Sequence, residues 1–239
     1  QHNGYETLMA GKWHLGFKDG AKPTDRGFNH AYAFMGGGAS HFADVMPLGA
    51  PEKFHTYYTL DGEKITPPDD FYSSTFYANQ LSTWIKDTPE NQPIFAYLAF
   101  TAPHDPIQAP DEWIEKFNDK YKDGYEPVYL ARMKALVDQG LIAKGIPVPD
   151  LKLVETWEAL SDEEKLRESK KMQVYAAMIA QMDEQIGNVL QTLKETGRYD
   201  NTIVAFVTDN GANPGGRELY DEEEFWRSIN VDDSLENLG

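Results

Sequence analysis

Residues Gly4 to Gly16 read GYETLMAGKWHLG, and this stretch sets the frame for the rest of the chain. As an extended run it places Lys12 and His14 two residues apart, a spacing that sends both side chains to one face of a strand. A fixed cation beside an imidazole can hold a tetrahedral oxyanion and move a proton next to it. Taken alone, such a pair is also compatible with a strand end carrying a surface lysine and an ordinary histidine.

Further along, Ile94 to Phe100 (IFAYLAF) is a nearly uninterrupted apolar run. It predicts a central strand buried on both faces. Thr101-Ala102-Pro103-His104-Asp105-Pro106 follows at once, so His104 is expected on a proline-stiffened loop at the carboxyl end of that strand, where open α/β sheets bind ligands. Asn201 to Val207 (NTIVAFV) predicts a second buried strand, followed by Asp209-Asn210-Gly211. Those three residues suit a plain turn, and after a strand their carboxylate and amide oxygens also suit Ca²⁺ or Mg²⁺.

Between these runs the pattern is helical. Asp69 to Lys86 predicts a helix with Ser73 or Ser74 as N-cap, and shorter helices are expected over Asp111–Tyr121 and Tyr129–Val137. Ser161-Asp162-Glu163-Glu164 is a capping box leading into a run to about Thr196, with Met172, Tyr175, Met178, Ile179, Met182, Ile186, Val189 and Leu193 as its core stripe and Gly197 as its stop. Phe54 to Ile65, turning at Asp61-Gly62, predicts a hairpin at the sheet periphery. Gly36-Gly37-Gly38 reads as tight backbone packing rather than a phosphate loop, since no Walker pattern follows. His41 and Asp44 read as surface polar residues of a connection, with pocket lining as the alternative.

Buried strands alternating with long helices give an α/β class: a mixed, mainly parallel sheet with helices on both faces. Over 239 residues, a hydrophobic fraction of 41% suits a globular protein. The formal charge of −17 argues against nucleic acid or anionic lipid as a nonspecific partner, and no apolar run is long enough for a membrane span. With no cysteine there is no disulfide or thiolate zinc site, and the compartment is not identified.

Gly4, Tyr5, Thr7, Gly11, Lys12, Trp13, His14, Leu15 and Gly16 together resemble the second signature of the type I sulfatases (arylsulfatases) within the alkaline-phosphatase-like superfamily. Ala102-Pro103-His104-Asp105-Pro106 and Thr208-Asp209-Asn210-Gly211-Ala212 continue the resemblance in the family's order, over essentially the whole chain. It implies a sulfuric ester hydrolase acting on a small-molecule or glycan sulfate ester. Lys12 would bind sulfate oxygens, His14 would assist the nucleophile, His104 would protonate the leaving oxygen, and Asp209 with Asn210 would hold a divalent ion, usually calcium with magnesium as the alternative.

The family's Cys or Ser-x-Pro-x-Arg signature, source of the formylglycine nucleophile and its neighbouring arginine, does not occur here. Its N-terminal aspartate pair and a lysine beyond Asp-Asn-Gly are also missing. The chain is therefore expected to be an internal fragment, inactive alone. Residues 1–213 would be a partial catalytic domain, with a helical insertion near the site over about 111–171, and 214–239 an acidic continuation. Phosphonate or phosphate ester hydrolysis on the same fold, or a noncatalytic truncated product, are the alternative readings.

Overall fold

The computed structural model describes residues 3–45, 56–147 and 156–211. Around β1 (Glu6–Lys12) a mixed sheet of five strands forms from β2 (His30–Phe34), β3 (Tyr58–Leu60), β4 (Glu63–Ile65) and β5 (Ile94–Ala99), ordered β4-β3-β2-β1-β5. Both β2 and β5 run parallel to β1, with Lys12 opposite Phe34 and Gly11 opposite Ala99. The β3–β4 hairpin adds antiparallel at the far edge, and Asp61 and Gly62 turn it with φ of 50° and 91°. The carboxyl ends of β1, β2 and β5 therefore meet along one edge.

Strand alternation divides the core in two. Leu8 and Ala10 of β1 and Tyr32 and Phe34 of β2 pack against Tyr77, Ala78, Leu81 and Ile85 of α1 (Ser73–Asp87), with Val189 and Leu193 of α4 (Asp162–Glu195) behind them. Met9, Ala31, Ala33 and Met35 occupy the opposite face, covered by Trp13, Phe28 and Tyr57. Among the described residues, the helices packed on the sheet, α1 and α4, thus lie on one face. The short α2 (Asp111–Ile114) rests on α4 through Ile114, whereas α3 (Tyr125–Asp138) buries no residue.

Two helix ends show how local chemistry is used. The capping box at Ser161 forms as expected: its Oγ accepts from the Glu164 amide at 3.3 Å, and its own amide donates to the Glu164 carboxylate at 2.7 Å. At α1 neither Ser73 nor Ser74 caps; Tyr72 holds the N-cap position, and the Ser73 amide donates to the His41 carbonyl at 2.9 Å. A neighbouring loop satisfies the exposed donor in place of a side chain. The buried stripe of α4 also differs in register from the apolar pattern. Gln181 and Gln185 are buried in it, while Ile179 is exposed; the Gln181 amide nitrogen donates to Thr75 Oγ1 at 2.5 Å, and its Oε1 is buried without a partner among the described residues.

Both apolar runs read as doubly buried strands differ from that expectation. Among the described residues β5 is an edge strand, and Phe95 on its open face is 55% exposed. Residues 202–208 form no strand, with Ile203 98% and Phe206 76% exposed. Apolar sequence gives a strand its propensity, but burial needs paired edges and covered faces: β5 pairs on one edge with β1 and packs one face, through Ile94 and Leu98, on the core, whereas residues 202–208 have neither among the described residues.

Candidate active site

The site is built where β1, β2 and β5 end. Trp13 anchors the first loop: its amide donates to the Phe34 carbonyl at 2.8 Å, extending the β1–β2 ladder, and its indole donates to the Ala21 carbonyl at 2.8 Å. Its ring meets Phe28 edge-on at 6.1 Å between centroids. Lys12 is the last residue of β1, and His14 lies past the strand with a left-handed φ of 45°. His14 has thus left the extended conformation, so strand alternation does not set its direction relative to Lys12, a correction to the same-face argument. A non-glycine residue with positive φ is uncommon and often marks a functional position.

Close approach fixes His14. Gly37 lies under its imidazole so tightly that a Cβ there would sit 3.0 Å from Cε1. Gly11 opposes Ala99 with φ of 122°, and a Cβ would come within 1.9 Å of the Ala99 carbonyl oxygen. Only glycine admits both that dihedral and that contact.

His104 occupies the loop after β5, between the cis peptides Ala102–Pro103 and Asp105–Pro106. Its amide donates to the Thr101 carbonyl at 3.0 Å, and its Nδ1 hydrogen-bonds the Asp105 carbonyl at 2.8 Å. A carbonyl only accepts, so Nδ1 carries a proton and Nε2 is the ring atom available for chemistry.

Charge links the cluster. Burial holds the His14 pKa below its ordinary value, and the cation of Lys12 and the imidazole of His104 push it further the same way. Burial likewise lowers Lys12, opposed by the carboxylate of Asp209, which favours the charged amine. His14 is thus within electrostatic reach of Lys12 and His104, and Lys12 within reach of Asp209. Asp209 and Asn210 are exposed. Asp209 Oδ1 accepts from the Asn210 amide at 2.9 Å, and the Asn210 side chain donates to the Gly211 carbonyl at 2.7 Å. Their oxygens are hard donors of the kind calcium takes, though among the described residues no group of three or more His, Cys, Asp or Glu is placed to hold a metal.

His41 does not lie on the surface. It is 1% exposed, and its ring joins Ser73 Oγ at Nδ1 (2.8 Å) and the His104 carbonyl at Nε2 (3.0 Å). Nothing in the local pattern distinguished it from a loop histidine, because its partners are Ser73, thirty-two residues away, and His104, sixty-three away. Gly37 was legible only as a packing glycine; that it packs on His14 required the fold.

A family profile described as Sulfatase matches residues 1–231. Over 237 residues the chain is 59% identical to an arylsulfatase of Klebsiella aerogenes, an alignment covering 99% of this chain and 51% of that protein. It is 38% identical over 250 residues to an uncharacterized sulfatase of Schizosaccharomyces pombe, covering 100% of this chain and 45% of the other. The chain spans about half the length of these curated relatives. The crystal structure of Ps i-CgsB with k-i-k-neocarrahexaose superposes with a TM-score of 0.55 at 22% identity, covering 84% of this chain and 36% of that one. That likeness concerns the fold.

Proposed function

Since the chain belongs to the sulfatase family, we propose that the intact protein of which it forms part hydrolyses sulfate esters, and that Lys12, His14 and His104 carry three of the roles. The observation that supports this most directly is the placement of a lysine and two histidines at and just beyond the carboxyl ends of the parallel strands β1 and β5, where Lys12 and His104 both act on His14.

In a sulfate monoester R–O–SO₃⁻ the ammonium of Lys12 would pair with sulfuryl oxygens, whose charge a partly desolvated cation stabilises better than water does. In its doubly protonated form, with Nδ1–H engaged by the Asp105 carbonyl, His104 would give its Nε2 proton to the departing oxygen as the bond to sulfur breaks, so that R–OH leaves neutral and the ring is left as the Nδ1–H tautomer. His14, held toward its neutral form by burial and by the neighbouring Lys12 and His104, would accept the proton whose removal releases sulfate and restores the nucleophile. When bound, a formylglycine nucleophile supplied from outside this chain and a divalent cation, calcium by family resemblance, would provide attack on sulfur and charge neutralisation. Asp209 and Asn210 would contribute two oxygens to that cation. Residues 111–171 would border the mouth of the site and shape substrate choice, with a small-molecule or glycan sulfate ester as the substrate class.

The test is turnover of an aryl sulfate, run beside an aryl phosphonate. A version extended with a Cys-x-Pro-x-Arg segment and converted to formylglycine is expected to cleave the sulfate, with no turnover by the 239-residue chain itself. An inactive extended version, or one cleaving only the phosphonate, would overturn the sulfatase reading.

A further inference from the structure

The His104 loop is gripped from beneath by a residue that the proposed chemistry does not use. His41 follows the glycine-rich bend after β2, and four of its hydrogen bonds cross between segments. Its main-chain amide donates to Gln108 Oε1 at 2.9 Å, its Nε2 meets the His104 carbonyl at 3.0 Å, and its Nδ1 meets Ser73 Oγ at 2.8 Å. Its own carbonyl accepts from the Ser73 amide at 2.9 Å, which ties the first turn of α1 into the same knot. Tyr72, just before that helix, reinforces the arrangement by donating its hydroxyl to the Gln108 carbonyl at 3.0 Å.

The partners dictate the tautomer. A backbone carbonyl has no proton to give, so Nε2 must be the protonated nitrogen facing His104; Nδ1 is then an acceptor, and the Ser73 hydroxyl is its donor. Neither ring nitrogen is left over for a substrate, and the ring is too deeply buried to reach one. What it can do is hold a main-chain atom of the proposed acid. The His104 carbonyl is fixed by His41, its amide by the Thr101 carbonyl, and its ring by the Asp105 carbonyl. With both of its main-chain polar atoms and one ring nitrogen engaged, the direction of Nε2 is set.

We propose that His41, as the Nε2–H tautomer locked by Ser73, is a positioning residue that fixes the orientation of the His104 imidazole. This inference rests on the reading of His104 as an acid, while the geometry it asserts can be measured without any turnover. A buried histidine that served packing alone would matter for stability but not for the state of the neighbouring ring. His41 spans two loops and a helix, so removing its hydrogen bonds is expected to release His104 before it unfolds the sheet.

The experiment is ¹⁵N NMR of histidine-labelled 239-residue chain, with no substrate added, on the unaltered protein and on His41→Phe, His41→Gln and Ser73→Ala. His41→Phe keeps a ring of similar size and removes the hydrogen bonds of the imidazole. His41→Gln returns an amide N–H near the position of Nε2. The unaltered chain is expected to show His104 as a single Nδ1–H tautomer. In His41→Phe its ring nitrogens should move toward the averaged shifts of a free imidazole, and in His41→Gln they should return. Ser73→Ala, which leaves the ring in place and frees its tautomer, should give the same change at smaller amplitude and serves as the deciding variant if His41→Phe does not fold.

An unchanged His104 spectrum in a folded His41→Phe or in Ser73→Ala would overturn the proposal, as would failure of His41→Gln to restore it. In the extended, formylglycine-bearing version, His41→Phe should lower kcat about tenfold with KM within about twofold, the pattern of a misaligned proton donor. Loss in KM alone would count against positioning. If the extended version never turns over sulfate while the His104 spectrum still responds to His41, the sulfatase reading fails and the positioning contact stands; the opposite result separates them the other way.

Discussion

Two glycines at the site look alike in sequence and differ in what a methyl group would meet. At Gly11 the added carbon would lie 1.9 Å from a backbone oxygen of β5, and φ is 122°. Neither strand can yield without losing the ladder, so Gly11→Ala is expected to give no cooperatively folding chain in thermal unfolding followed by circular dichroism. At Gly37 the contact is 3.0 Å, to a side-chain imidazole rather than to backbone. Gly37→Ala should therefore leave stability within about 1 kcal/mol but displace the His14 ring. In the extended version we expect turnover to fall by about tenfold or more, since small misplacements of a catalytic group are costly. Equal losses of stability in both variants would show that Gly37 acts as plain packing. His41 adds a pH dependence with a definite sign. Burial carries its pKa from 6.5 down to about 4, so the unfolded chain takes up a proton that the folded one resists. The stability this group allows is complete above pH 6.5, is lost as pH falls toward 4, and changes no further below that. The loss is on the order of 3 kcal/mol. His14, also lowered, contributes with the same sign. Urea unfolding at pH 7 and pH 4 should show this difference shrinking in His41→Gln; an undiminished difference would assign it to other groups.

At the scale of elements, β5 and the segment after α4 stand out. Residues 201–207 carry no charge and no proline, and they combine β-branched and aromatic side chains with exposure of 98% at Ile203 and 76% at Phe206. β5 has an unpaired edge among the described residues, with Phe95 and Tyr97 exposed beside it. An apolar, uncharged, unpaired segment is a template for intermolecular pairing. Amide hydrogen exchange should find β1 strongly protected and residues 202–207 close to unprotected. Ile203→Lys with Phe206→Lys should reduce light scattering on concentration while changing the unfolding free energy by less than about 0.5 kcal/mol. Protection at 202–207 matching that of β1 would contradict the exposed arrangement. The contrast with the helices is instructive. α4 starts at Ser161, where the four-residue capping box makes its bonds within one turn; α1 starts where the His41 carbonyl arrives from a distant loop.

At the scale of the molecule, the chain spans about half the length of its curated relatives, and its site holds the proposed acid, base and sulfate-binding cation without a nucleophile. Calcium makes the same point quantitatively. Two side-chain oxygens, from the proposed ligands Asp209 and Asn210, would leave most of a calcium shell of 6–8 oxygens to water. Isothermal titration of the 239-residue chain with Ca²⁺ should show binding no tighter than about millimolar. Micromolar affinity would mean that further ligands come from elsewhere in the chain.

The sequence by itself determined what local chemistry can encode. Period-two and helical patterns, the Asp61-Gly62 turn, the Ser161 capping box and the Gly197 stop act within a few residues, so they are written in order along the chain. The strings around Lys12, His104 and Asp209 are each contiguous in sequence, so their resemblance to the sulfatase family could be seen without the fold. Tertiary structure alone decided which apolar runs are buried, because IFAYLAF and NTIVAFV differ from core strands only in what lies beside them. It also decided that two polar glutamines enter the α4 stripe, that Gly37 seats His14, and that His41 lies beneath His104. Those facts depend on contacts between segments tens of residues apart. A side chain's burial and partners belong to the assembled surface and not to its neighbours in sequence.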